Sequence, residues 1–180
     1  MNVIPTRLSG CVVIEPQVFG DHRGFFLETF QAQRYREQAG IDLAFVQDNH
    51  SRSSRGVLRG LHFQLRRPQG KLVRVVHGEV FDVAVDLRRR SPTFGQWEGV
   101  YLSGDNKRQV WVPPGFAHGF LVLSEFADFE YKCTDYYDPS DEGAIVWNDP
   151  DLAIQWPSGV EITLSDKDAQ APTFREFCQA

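Results

Sequence analysis

Hydrophobic and polar residues alternate along much of this chain, so most of it reads as strands. The clearest run, VFDVAVDL at 80–87, puts Phe81, Val83, Val85 and Leu87 on one face and Asp82, Ala84 and Asp86 on the other. KLVRVV at 71–76 comes just before it. The His77-Gly78 dipeptide between the two runs predicts a tight hairpin. Further strands are predicted at 11–14, 25–30, 43–47, 57–64, 97–103, 109–112, 119–123, 127–134 and 144–147, with turn chemistry in RSPTFG, SGDNK and VPPG between them. Helical signal is confined to 30–40, where QAQRYREQAG runs into Gly40, and to the last 15 residues. Many short strands with regular turns predict an all-β antiparallel sandwich or barrel, and a jelly roll fits best. No repeat, low-complexity tract or linker interrupts the pattern, so residues 1–180 are read as one domain.

Composition adds limits. At 180 residues, with 42% hydrophobic and 24% charged residues, the chain is of globular type and long enough to bury a core. No apolar run approaches the roughly 20 residues of a membrane span. The opening MNVIPTRLSG lacks the basic-then-apolar layout of a secretory signal, so a cytoplasmic location is expected. Cys11, Cys133 and Cys178 are widely spaced and odd in number, which predicts free thiols in a reducing compartment and gives no zinc site.

The charge distribution says more than the net charge of −5, which by itself argues against a general nucleic-acid binder. Between Asp48 and Glu79 there is no acidic residue. Arg52, Arg55, Arg59, Arg66, Arg67, Lys71 and Arg74 lie there with His50, His62 and His77. Such a run is either a solvated face or an electropositive cleft that draws in a small anionic ligand. An acidic protein with one basic region suits a small phosphorylated substrate better than DNA.

Within that window GVLRGLHFQ (56–64) carries Arg59 and His62 in an otherwise apolar strand. Burying either without a partner costs several kcal/mol, roughly 2–7 for a neutral group. The common outcome is a structural histidine beside an arginine whose head reaches solvent. Strict alternation sets the two on opposite faces, and a bulge at Gly60 turns both inward. A second histidine, His118, follows the Pro-Gly turn of PPGFAHGF (113–120). In small barrels of the cupin type such a PxGxxH supplies a metal ligand alongside an HxH. The matching stretch here reads His62-Phe63-Gln64, so one histidine is missing. Two histidines make a poor divalent-metal site, since catalytic sites usually offer three protein ligands.

Six stretches, in order over nearly the whole chain, carry a family resemblance: FGDHRGFFLETF (19–30), FVQDNHSRSSRGVLRGLHFQ (45–64), QGKLVRVVHGEVFDVAVDLRRRSPTFGQW (69–97), PPGFAHGFLVLSE (113–125), EYKCTDYYDPSDEGAIVWND (130–149) and LSDKDAQAP (164–172). Together they resemble the dTDP-4-dehydrorhamnose 3,5-epimerase family. The resemblance implies a cupin-like jelly roll, a homodimer, no metal and no cofactor. It also implies inversion of C3 and C5 of dTDP-4-dehydro-6-deoxy-D-glucose, a step toward dTDP-L-rhamnose.

Both carbons lie α to the C4 ketone, so the reaction needs a base, an enolate stabiliser and an acid on the opposite face. By resemblance His62 is the base and Asp168 its orienting partner, although SDKD alone reads as a turn or helix cap. Imidazole, with an unperturbed pKa of about 6.5, suits proton abstraction near neutrality. Tyr131 matches the proton donor, where a strand aromatic in the core is the commoner fate. Lys71 matches the cation near the C4 oxygen, where an edge-strand lysine is the alternative. Arg23, Glu28, Gln47, Asp48, Asn49, Arg59, Lys71, His118, Glu142 and Lys167 match positions that bind substrate, arginine forks being suited to diphosphate. Tyr137 matches the residue that stacks near the thymine, with Tyr136 as the competing choice. Arg23 and Glu28 lie in a segment that in this family tends to complete the partner's site. Single-carbon epimerases or ketoisomerases of the same fold are the nearest alternatives. A metal-dependent cupin oxygenase and a non-catalytic sugar-binding cupin are more distant ones.

Overall fold

A computed structural model describes residues 1–180. Two antiparallel sheets face each other. The first has six strands in the order β1 (Asn2–Pro5), β2 (Val12–Glu15), β10 (Gln109–Val112), β7 (Lys71–His77), β12 (Phe126–Cys133) and β5 (Gln47–Ser54). The second has five, in the order β13 (Glu142–Ala144), β6 (Leu58–Gln64), β11 (Phe116–Val122), β8 (Glu79–Asp86) and β9 (Trp97–Ser103). A separate hairpin of β3 (Val18–Asp21) and β4 (Gly24–Leu27) projects with Phe19, Phe25 and Phe26 exposed. Helix α1 (Ala32–Ala39) ends at Gly40 in a left-handed cap, and α2 (Asp166–Ala169) and α3 (Phe174–Gln179) fall in the C-terminal segment. None of the helices is long and apolar enough to cross a membrane.

Three apolar clusters hold this arrangement. Val73, Val75, Val110 and Phe129 from the first sheet meet Val80, Ala84, Leu102, Phe116 and Phe120 from the second in the space between them. Ile14, Tyr35, Ile41, Leu72 and Trp111 seal the outer face of the six-stranded sheet beneath α1. Leu61, Phe81, Val83, Val85 and Ala117 on the outer face of the five-stranded sheet are covered by Ile145, Leu152 and Ile154 of the C-terminal segment. The apolar face of VFDVAVDL therefore packs outward against that cover, while Val80 and Ala84, on the face shared with Asp82, look into the intersheet space.

The expected hairpin at His77-Gly78 is not formed. β7 pairs with β10 and β12, and β8 pairs with β11 and β9, so the dipeptide carries the chain from one sheet to the other. Gly78 adopts φ +82, and a Cβ there would lie 2.2 Å from the Phe126 carbonyl oxygen, so only glycine fits this crossing. The strand expected at 43–47 lies instead at Gln47–Ser54, β11 begins at Phe116, and β13 occupies Glu142–Ala144 rather than 144–147. β1 and β3 were not expected: β1 ends in a proline at the sheet edge and β3 is wholly exposed. Cys11, Cys133 and Cys178 are free thiols.

Candidate active site

One wall of the intersheet cavity comes from β6 and β11. His62 pairs with His118, but Arg59 pairs with Phe120, so β6 holds one extra residue between these points. The bulge falls at Gly60 and brings Arg59 and His62 to the same cavity. Gly60 has φ +130, and a Cβ there would meet Gly119 Cα at 2.6 Å and the His118 carbonyl oxygen at 2.8 Å. The bulge thus depends on a glycine.

Each histidine on this wall has its own buried carboxylate. His62 Nε2 lies 2.5 Å from Asp168 Oδ1, and Asp168 Oδ2 accepts from the Gly60 N–H at 3.2 Å. Asp168 sits in α2, where the Ser165 hydroxyl caps its backbone N–H and leaves its carboxylate to His62. Burial alone would raise the Asp168 pKa. The hydrogen bond and charge of His62, with the Gly60 N–H and Lys167, outweigh it and hold the group below the usual carboxylate range. His118 Nε2 lies 2.8 Å from Oδ2 of the buried Asp82. With Nε2 engaged, Nδ1 is the ring nitrogen left to each histidine.

The opposite wall is built by β5, β7 and β12. Asn49, Lys71 and Tyr131 line the same cavity of about 190 Å³ as Arg59, His62 and His118. Lys71 makes no ion pair, and its Nζ lies 5.7 Å from the Tyr131 ring centroid. Loss of water around its ammonium lowers the Lys71 pKa, with Cys133, Asp82 and Glu142 pulling the other way. Burial raises the pKa of Tyr131, so its phenol stays protonated near neutrality. His62 and Tyr131 therefore face one cavity from different sheets.

On β13, the edge strand of the five-stranded sheet, Glu142 pairs in register with Gln64 and gathers two other expected residues. Tyr137 Oη donates to Glu142 Oε2 at 2.7 Å, and Lys167 Nζ donates to the same oxygen at 2.5 Å. Gln47 accepts from the Tyr137 backbone N–H at 2.9 Å. Tyr136 and Tyr137 are both exposed, but only Tyr137 bonds to Glu142. Arg59 and His62 also border the adjoining recess with Lys167 and Asp168.

Three expected residues are not gathered within this chain. Asp48 is on the outer face of β5 and pairs with Lys132 at 3.0 Å. Arg23 lies at the turn of the exposed hairpin and pairs with Asp21, while Glu28 pairs with Arg34.

The contacts of Asp82 and Gln64 lie outside what the sequence predicts. An acid inside the apolar run of VFDVAVDL was the available signal, since a buried carboxylate requires a partner. Gln64, the residue in place of a second HxH histidine, spends its amide on backbone groups. No group of three or more His, Cys, Asp or Glu side chains is placed to hold a metal ion.

The family model described as dTDP-4-dehydrorhamnose 3,5-epimerase matches residues 5–176. A Pseudomonas aeruginosa protein of that name is 61% identical over 173 residues, covering 95% of this chain and 96% of its own length. A Salmonella typhimurium protein of the same name is 58% identical over 173 residues, with 96% and 94% covered. Among solved structures, a Legionella pneumophila dTDP-6-deoxy-D-glucose-3,5-epimerase in complex with dTDP-4-keto-L-rhamnose is similar at 61% identity and a TM-score of 0.94, over 97% of this chain and 93% of that one.

Proposed function

The chain belongs to the dTDP-4-dehydrorhamnose 3,5-epimerase family, and from that premise we propose how its own residues act. It is an isomerase of a dTDP-linked 4-keto-6-deoxy sugar, serving dTDP-L-rhamnose synthesis. His62 takes the proton from C5, and then from C3, through the ring nitrogen that Asp168 leaves free. The Asp168 carboxylate fixes the tautomer and stabilises the imidazolium that forms. Negative charge develops on the C4 oxygen, and the unpaired Lys71 ammonium, which lines the same cavity as His62, meets it. A cation that lacks a counter-ion in a desolvated cavity gains more from a developing oxyanion than one already paired. Tyr131 returns a proton from the opposite side, which produces inversion.

The observation that carries this reading is the placement of His62 and Tyr131 on opposing sheets around a single cavity. One group acting from one face as both base and acid would restore the starting configuration. Arg59 and His118 serve the diphosphate side. The Tyr137–Glu142–Lys167 cluster serves the nucleoside, with the Tyr137 ring against thymine. The decisive experiment is NMR of the 4-keto sugar nucleotide with enzyme in D2O. Deuterium at both C5 and C3 with inverted product supports the reading. Exchange at one carbon alone favours a single-carbon epimerase.

We also infer a homodimer in which the β3–β4 hairpin completes the partner's site. The support is its shape: Phe19, Phe25 and Phe26 are 60–65% exposed around Arg23. Mixing inactive Arg23→Ala chains with inactive His62→Ala chains should restore activity, because each heterodimer regains one intact site. No recovery after demonstrated subunit exchange would rule out shared sites.

A further inference from the structure

We propose that Gln64 is a positioning residue for the nucleotide end of the site, holding the loop that carries Tyr137 beside Glu142 and Lys167. It rests on the reading above of a dTDP-sugar site. Gln64 is 5% exposed on β6, two residues beyond His62. Its Nε2 donates to the Arg67 carbonyl at 2.8 Å and to the Tyr136 carbonyl at 3.2 Å, and its Oε1 accepts from the Asp138 N–H at 2.9 Å. From the facing sheet, Gln47 Oε1 accepts from the Tyr137 N–H at 2.9 Å. The backbone groups of three successive residues, Tyr136, Tyr137 and Asp138, are thus clamped between two glutamines on opposing sheets.

This clamp does what packing does elsewhere. No residue from 135 to 140 is buried, so the loop has no apolar anchor of its own. Tyr137 is 51% exposed, and its position follows from its backbone and its bond to Glu142. Segments without buried apolar contacts open readily, and fixed hydrogen bonds are the remaining means of holding them. Only a primary amide of this length supplies both donors and an acceptor here. Glutamate keeps the acceptor and loses both donations, while leucine leaves all three backbone groups unpartnered.

The test compares wild type, Gln64→Leu, Gln64→Glu, Tyr137→Ala and the Gln64→Leu/Tyr137→Ala double variant. Each is assayed for turnover of dTDP-4-dehydro-6-deoxy-D-glucose and for dTDP binding by calorimetry. Gln64→Leu should raise KM and the dTDP Kd by about tenfold, the order expected for orphaned buried hydrogen-bonding groups, with kcat changed by less than about twofold. Gln64→Glu should shift KM and Kd in the same direction, and it serves if the leucine variant folds poorly. In the Tyr137→Ala background the Gln64 substitution should add little, because the ring it positions is gone. A lower Tm with unchanged KM and dTDP Kd would assign Gln64 a purely structural role and overturn the proposal. So would an undiminished effect in the Tyr137→Ala background. Wild-type protein that fails to bind dTDP overturns the reading of the site and this inference together. Wild-type binding that Gln64→Leu and Gln64→Glu leave unchanged overturns the inference alone.

Discussion

His62 and His118 stand opposite each other in register on neighbouring strands, and each is bonded through Nε2 to a buried aspartate. Their settings differ in two ways. The His62 side chain is 30% exposed, whereas that of His118 is 7% exposed. Asp82 lies on β8, the strand hydrogen-bonded to β11, so the sheet itself builds the second pair. Asp168 lies 106 residues from His62 in the C-terminal segment and meets it across the fold. Similar chemistry is therefore held by a rigid lattice in one case and by a docked segment in the other. Both histidines line the cavity, and the more open one is the one proposed above as base. The enclosed pair suits a fixed contact.

Removing the more open histidine should have the largest effect. His62→Ala is expected to lose product formation and deuterium exchange at C5 and C3 together, by roughly 10²–10⁴-fold or more. His118→Ala, in contrast, should keep measurable exchange at saturating substrate, with the greater change in KM. Equal loss of exchange in the two variants would erase the distinction between the pairs.

Tyr131→Phe tests the opposite wall. Product formation should fall by about 10²-fold or more while exchange persists, because protonated His62 can return a solvent-derived deuteron to its own face. Complete loss of exchange would move the base role to the tyrosine.

The two carboxylates come next. Asp168→Asn keeps the shape but removes the charge proposed to stabilise the imidazolium, so kcat should drop by roughly 10²-fold. Asp82→Asn should act mainly on KM, with kcat changed only a few-fold; a kcat loss matching that of Asp168→Asn would mean that both pairs take part in proton transfer.

The smallest effect is on stability against pH. The folded Asp168 pKa is depressed, so its contribution is present above the unfolded carboxylate pKa of about 3.9 and is lost as pH falls through the folded value. The stability gap between wild type and Asp168→Asn should therefore be widest at pH 5–7 and narrow on acidification. Urea titrations at stepped pH measure it, and a gap that widens in acid would contradict the assignment.

Much of the sheet framework and the His62 wall could be read from the chain itself. The alternation around β8 was clear, and Gly60 was a sufficient signal for the bulge that gathers Arg59 with His62. β5 lies C-terminal to the expected 43–47 for a physical reason. Its inward residues are polar because Asn49 and Ser51 line the cavity, Gln47 accepts from the Tyr137 N–H and Ser53 accepts from Arg59, so the apolar stretch before it resembles a strand more closely. The His77-Gly78 crossing carries the same signal as a hairpin, and only the pairing of each strand elsewhere distinguishes them. Asp168 was accessible through resemblance alone, since nothing local in SDKD indicates a histidine so distant in sequence. Asp82 is placed by the alternation only on the face opposite Phe81 and Val83, and neither its burial nor its pairing with His118 follows from that. Gln64 stands out in the sequence only as the residue in place of a histidine.

The remote origin of Asp168 has a kinetic consequence. Contacts between residues far apart in sequence form slowly, because a long loop must close first. The segment bearing α2 reaches the five-stranded sheet through the Val57–Thr163 bridge, the Leu58 N–H to Thr163 carbonyl bond and the dyad itself. During refolding from denaturant, β6, β11 and β8 can pair and bury aromatic surface before that segment docks. Recovery of turnover should then lag behind recovery of the far-ultraviolet signal, and the regained activity would serve as a clock for the docking of this one short helix.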